Sequence, residues 1–174
     1  MWRRQQTTRA GEPTAEAEVV EVSSTFSIVV PGPQARVWEL IHDPILAVGV
    51  SDHVVNAWRE AGSPVGLGEI QVFELATPAG ALRSRSRVTE CEWGSRAVLE
   101  LVQSRPGRVR AGSDVELRTL EDGTVEVAMR AWYLLSGPFP ADEVEQLRRS
   151  MDEESERLKV RLPAYLESRR AAEA

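Results

Sequence analysis

From Arg108 to Arg118 the side chains alternate with a period of two. Val109, Ala111, Ser113, Val115 and Leu117 fall on one side, and Arg108, Arg110, Asp114, Glu116 and Arg118 on the other. The stretch 82–88 repeats the pattern, with Leu82, Ser84, Ser86 and Val88 opposing Arg83, Arg85 and Arg87. Such strands belong to a sheet with one covered face and one wet face. Something must cover the dry face. One later segment is long enough to do so. Between Ala141 and about Arg170, the residues Val144, Leu147, Met151, Ser155, Leu158, Leu162 and Tyr165 or Leu166 recur at helical spacing. The chain is therefore expected to be an α+β domain in which a long C-terminal helix lies across a curved antiparallel sheet.

The remaining elements follow from turn chemistry. Order begins near Val19, and Phe26, Ile28 and Val30 share one face of a strand over 25–30. Pro31-Gly32-Pro33 ends it. Val37, Leu40 and Ile41 then mark a helix over 35–42, and Pro44 stops that helix. A second short helix is expected over 45–50. Strands are expected at 54–58, 69–75, 82–93, 96–103, 108–120 and 124–135. They are separated by Gly62 to Gly68, Pro78-Ala79-Gly80, Gly94, Pro106-Gly107 and Asp122-Gly123. Short turns of this kind join antiparallel neighbours. Gly137-Pro138-Phe139-Pro140 closes the sheet, and Asp142 is placed to cap or charge the start of the last helix. Pro163 is expected to kink that helix or divide off its last turns. Residues 1–18 are polar and aperiodic and are expected to form a disordered tail, leaving one domain over 19–170.

The formal net charge of -6 argues against nucleic acid as the main partner. No apolar run approaches the roughly 20 residues of a membrane span, and Met1-Trp2-Arg3-Arg4 is not followed by a secretory hydrophobic stretch. Cys91 is the single cysteine, so neither an intrachain disulfide nor a multi-cysteine zinc site is available, and a reducing cytoplasm suits the chain. The two histidines, His42 and His53, have no metal-ligand spacing. No metal and no cofactor is expected. His42 ends a helix, where its charge suits the dipole. His53 follows Ser51-Asp52, but adjacency in sequence does not build a triad.

Four local patterns point to a known superfamily. Val37-Trp38-Glu39-Leu40-Ile41-His42-Asp43-Pro44 is similar to a "VW-x-L-x-x-D-P" helix after the first strand. Val88-Thr89-Glu90-Cys91-Glu92-Trp93-Gly94-Ser95-Arg96 is similar to a "V-T-E-x-x-P-G-R-R" hairpin, with Trp93 where proline is usual. Asp122-Gly123-Thr124-Val125-Glu126-Val127 is similar to a "G-T-x-V" hairpin, and Leu158-Lys159 to Tyr165-Leu166-Glu167 to an "L-x-x-L-K-x-Y-x-E" helix end. In this order they resemble the START / polyketide cyclase–dehydrase (SRPBCC) superfamily, the helix-grip fold of birch-pollen-type allergens. The resemblance implies about seven strands wrapped around the last helix, two short helices after the first strand, and a cavity between helix and sheet. Superfamily members bind lipids, sterols, polyketides and other apolar molecules, and some cyclise or dehydrate polyketide chains.

The candidate ligand-binding residues are Trp58, Val72, Ser84, Ser86, Leu99, Ser113, Met129, Tyr133, Leu147, Met151 and Leu158. Serines and alanines cluster on the expected inner face (Ser84, Ser86, Ala111, Ser113, Ala131). Serine fills a core poorly unless it is hydrogen-bonded, which favours a pocket over a packed interior. Tyr133 and Met151 are expected to face each other across the pocket, and Trp58 to lie near its mouth. Each has a bland alternative as ordinary core. Arg83, Arg85 and Arg87, with Arg130, are expected on the outer face, paired with Glu116 and Glu126. Cys91 lacks the context of a nucleophile, and no catalytic residue is assigned. The expected function is non-catalytic binding of a small apolar molecule. The alternatives are a polyketide cyclase/aromatase-like enzyme and an interaction module using the outer sheet face. Whether the chain forms a homodimer is left open.

Overall fold

A computed structural model describes residues 19–78, 80–102 and 107–172. The expected tail over 1–18, the turn residue Ala79 and the end of the strand expected to reach Gln103 lie outside these residues.

The order of elements matches the expectation. It is β1 (Val19–Val30), α1 (Gln34–His42), α2 (Leu46–Val50), β2 (Val54–Arg59), β3 (Ile70–Thr77), β4 (Gly80–Glu92), β5 (Arg96–Leu101), β6 (Val109–Thr119), β7 (Val125–Ser136) and α3 (Ala141–Ala171). The seven strands form one curved antiparallel sheet in the order β1-β7-β6-β5-β4-β3-β2. Every strand neighbours its sequence successor except β1, which closes onto β7. This is the α+β helix-grip arrangement.

β1 is twice as long as the six-residue stretch that hydrophobic alternation marks. Its inward row is Val22, Ser24, Phe26, Ile28 and Val30, and the polar Ser24 breaks the apolar pattern. Ser24 is nevertheless buried because α3 satisfies it. Its hydroxyl donates to Asp152 Oδ1 at 2.8 Å and accepts from Ser155 at 2.9 Å. The same contacts explain Ser155 within the buried stripe of α3, alongside Met151, Leu162 and Leu166.

The core sits at the α1 and α2 end. Trp38, Val37, Leu40 and Ile41 of α1 meet Val88, Ala97, Val115, Leu117, Val125 and Val127 of the sheet and Leu162 and Leu166 of α3. A second, smaller cluster of Val22, Leu135 and Met151, with Tyr133, Val144 and Leu147 packed on it, anchors the other end of α3. The helix is not divided at Pro163; it runs on to Ala171. It starts after Pro140 without a side-chain cap, and Asp142 and Glu143 serve as first-turn charges. Gly49 of α2 lets α3 approach closely, since a Cβ there would lie 2.2 Å from the Tyr165 ring.

On the outer face the arginine stripe points to water as expected, but with different partners. Arg83 pairs with Glu74 at 2.9 Å and Arg85 with Glu60 at 2.6 Å, because β4 is registered against β3. Glu126 pairs with Arg118, and Arg130 bridges Glu21 and Asp114.

Candidate ligand cavity

α3 packs chiefly against β1 and α2 and leaves much of the inner face of β3 to β6 without a helix over it. That bare face is a trough of about 1000 Å³. Its floor is built by strand register: Phe73 opposes Ser84, Leu75 opposes Leu82, Ser86 opposes Leu101, Leu99 opposes Ser113, and Ala111 opposes Tyr133. Between α3 and β7 lies a narrower slot of about 360 Å³. Phe26, Met129, Leu147, Met151 and Leu158 give it apolar walls, and His53, Glu154 and Arg157 stand at its polar rim. Both volumes are of the size that holds small organic ligands.

Among its described lining residues the trough offers hydroxyls and three arginines, Arg83, Arg85 and Arg108, whose guanidinium groups are engaged by other partners. Arg83 and Arg85 border it from strands whose side chains point outward at those positions. Arg108 at one end is engaged by the β7–α3 turn. It donates to the carbonyls of Ser136 and Pro138 and lies 4.9 Å over the Phe139 ring. The hydroxyls of Ser84, Ser86, Ser113 and Tyr133 have no hydrogen bond to other described residues.

Of the residues singled out from sequence, Ser84, Ser86, Leu99, Ser113 and Tyr133 line the trough, and Ser113, Met129, Tyr133, Leu147, Met151 and Leu158 line the slot. Trp58 and Val72 line neither. Cross-strand pairing sets Trp58 against Val72 and Val72 against Arg85, which places both on the convex face. There Arg83 stacks 5.7 Å above the Trp58 ring. The inner-face assignment of Val72 is therefore corrected by one residue to Phe73. Residues 70–75 carry large apolar side chains at both parities, so alternation alone could not choose the inward set. Register with the unambiguous Ser84-Arg85-Ser86 pattern decides it. Phe26, Phe73, Leu75, Leu82, Leu101 and His53 are among the lining residues outside the candidate set read from sequence.

A polar cluster at the opposite end of the sheet was also missed. Glu69 is fully buried, and four donors converge on its carboxylate. Arg59 Nε (3.0 Å) and Gln71 Nε2 (2.8 Å) reach one oxygen, and the Gly66 amide (3.0 Å) and His42 Nε2 (3.1 Å) reach the other. A carboxylate only accepts, so His42 carries its proton on Nε2. Burial would raise the Glu69 pKa. The hydrogen bonds from Gln71 and Gly66, the electrostatic influence of His42 and the hydrogen bond from Arg59 outweigh it and hold the carboxyl below its usual range. Trp38 stacks on His42 at 5.2 Å, and Trp93 meets both rings edge-on. The cluster ties α1, β2, the 60–69 loop and β3 together. Nearby, Cys91 is a free thiol whose pKa is raised by burial and by the Glu69 charge, which disfavours the nucleophilic thiolate. Among the described residues no three His, Cys, Asp or Glu side chains are placed to hold a metal, and no helix is long and apolar enough to cross a membrane.

No family model matches the chain, and no curated protein matches it in sequence. Solved structures match it in shape. The di-domain ARO/CYC StfQ from the steffimycin biosynthetic pathway superposes with a TM-score of 0.65 at 18% identity, over 87% of this chain and 52% of that one. The Zhui aromatase/cyclase from Streptomyces sp. R1128 gives 0.65 at 13% identity, over 86% of this chain and 96% of that one. A START superfamily protein from Mycobacterium smegmatis gives 0.62 at 9%, over 84% and 97%. The chain has the fold of the START / polyketide cyclase superfamily. Its helix-grip sheet and helix account for the trough and slot together, since the concave face of such a sheet is larger than one helix can cover. The chain spans about half the length of StfQ, and at these identities the likeness speaks for the fold.

Proposed function

We propose that this protein binds a small, largely apolar molecule in the trough and slot between the sheet and α3, without catalysing a reaction on it. The observation that carries this reading is apolar surface left bare on the concave face. Leu82 and Leu101 point inward yet remain 55% and 37% exposed, and Ala131 is exposed as well. Inward apolar side chains that a fold leaves wet gain free energy when a ligand covers them. Among its described lining residues the trough has no acid beside a base, which favours binding over chemistry. Native mass spectrometry after incubation with a cellular lipid extract tests the reading: one retained small molecule per chain is expected, and no retained species across such mixtures would refute it.

A second reading is favoured by the free hydroxyls of Ser84, Ser86, Ser113 and Tyr133, which could orient the carbonyl and enol groups of a polyketide chain. Two structural neighbours, the ARO/CYC StfQ and the Zhui aromatase/cyclase, support the same reading. Conversion of a poly-β-keto thioester mimic to a cyclised product would establish it. A docking role for the outer face is less supported, because Glu74 and Glu60 already neutralise two arginines of the stripe.

A further inference from the structure

The trough and the slot are distinct in shape but adjoin. Among their described lining residues, Ser113 and Tyr133 are common to both. Pairing of Ala111 with Tyr133 and of Ser113 with Ala131 makes these two diagonal neighbours across β6 and β7, within reach of an aromatic side chain. The surrounding inner positions are small (Ala111, Ala131), so the Tyr133 ring is the bulky group at the junction. That ring packs against the cluster of Val22, Leu135 and Met151, which fixes its position. The Ser24 and Ser155 hydroxyls are engaged with each other and with Asp152, whereas those of Ser113 and Tyr133 have no hydrogen bond to other described residues.

We infer that Tyr133, with Ser113, is the specificity-determining partition of the cavity, and that the ligand is bipartite. A broad, flat apolar part occupies the trough, a slim chain occupies the slot, and a carbonyl or hydroxyl between them meets the Tyr133 and Ser113 hydroxyls. This rests on the ligand-binding reading and specifies what the cavity selects. A ligand with its polar group at one end would leave the junction hydroxyls unpaired when its apolar body crossed them, and that is disfavoured.

The probes that test it are 6-acyl-2-(dimethylamino)naphthalenes, whose fluorescence shifts to the red when the ketone accepts a hydrogen bond, and 2-dodecylnaphthalene, which has the shape but no ketone. The twelve-carbon acyl probe is expected to bind at least tenfold more tightly than the three-carbon one, because the longer chain fills the slot. Tyr133→Phe is expected to weaken the twelve-carbon ketone by roughly threefold to tenfold, to shift its bound emission to the blue, and to leave 2-dodecylnaphthalene unchanged. Tyr133→Ala is expected to narrow the gap between the three- and twelve-carbon probes. If the ketone and the hydrocarbon change by the same factor in Tyr133→Phe, and emission does not move, the partition is refuted while ligand binding stands. If neither the ketones nor the hydrocarbon bind to the wild-type protein, the ligand-binding reading falls and this inference with it.

Discussion

Replacing Glu69 by Gln preserves its volume and removes one acceptor. Arg59 and Gln71 donate to one carboxylate oxygen, and His42 and Gly66 donate to the other. Whichever way the amide of Glu69→Gln turns, its NH2 faces two donors. Breaking a buried charged pair from one side costs about 3–5 kcal/mol. Arg59 keeps 37% of its side chain exposed and can turn to water, so the lower end, about 3 kcal/mol, is expected. With a urea m-value of about 2 kcal/mol/M, the unfolding midpoint should fall by about 1.5 M. The same substitution tests the charge state. The folded Glu69 carboxyl titrates below its unfolded value. It therefore contributes stability that is complete above the unfolded carboxylate pKa of about 4.3 and is lost as pH falls through the folded value. Urea midpoints taken at pH 7, 5, 4 and 3 should show an acid-limb decline in the wild-type protein that is reduced in Glu69→Gln. A variant within about 1 kcal/mol of wild type at pH 7 would show that the cluster is not held by this carboxylate.

Two further substitutions probe the packing. Gly112→Ala would set a Cβ 2.4 Å from the Leu99 carbonyl oxygen and 2.4 Å from the Trp132 ring. It should cost about 1–3 kcal/mol by overpacking, read as a lowered urea midpoint. Ser24→Ala removes the hydroxyl that donates to Asp152 and accepts from Ser155. It should cost about 1–3 kcal/mol, and somewhat less in a Ser155→Ala background, where only the bond to Asp152 is left to lose, as a double-mutant cycle in urea would measure.

The parts of this molecule visible in its sequence are those where one residue pattern admits one geometry. The strict alternation over 108–118 and 82–88 sets which side chains face inward, and the structure places Ser84, Ser86 and Ser113 in the trough accordingly. The stripe from Val144 to Leu166 identifies the covering helix. The parts that sequence leaves obscure depend on partners distant in the chain. Val72 and Phe73 are equally apolar, so only pairing with β4 assigns them to faces. Glu69 looks like a surface residue at a strand edge; its burial depends on His42, 27 positions earlier, and on Arg59. Ser24 looks like a break in β1 until Asp152 and Ser155 are brought beside it. How far α3 extends across the sheet, and so how much cavity remains, is likewise a property of tertiary packing.

The most direct test of the cavity as a ligand site is to fill it. Ser113 lines both the trough and the slot, so Ser113→Trp should occupy their junction. Binding of 2-dodecylnaphthalene, followed by its fluorescence, should be saturable at one site in the wild-type protein. It should fall at least tenfold in Ser113→Trp, and a control substitution at the exposed, outward-facing Arg87, Arg87→Trp, should bind like wild type, with circular dichroism unchanged in both. Equal binding by the wild-type protein and a folded Ser113→Trp would contradict the account.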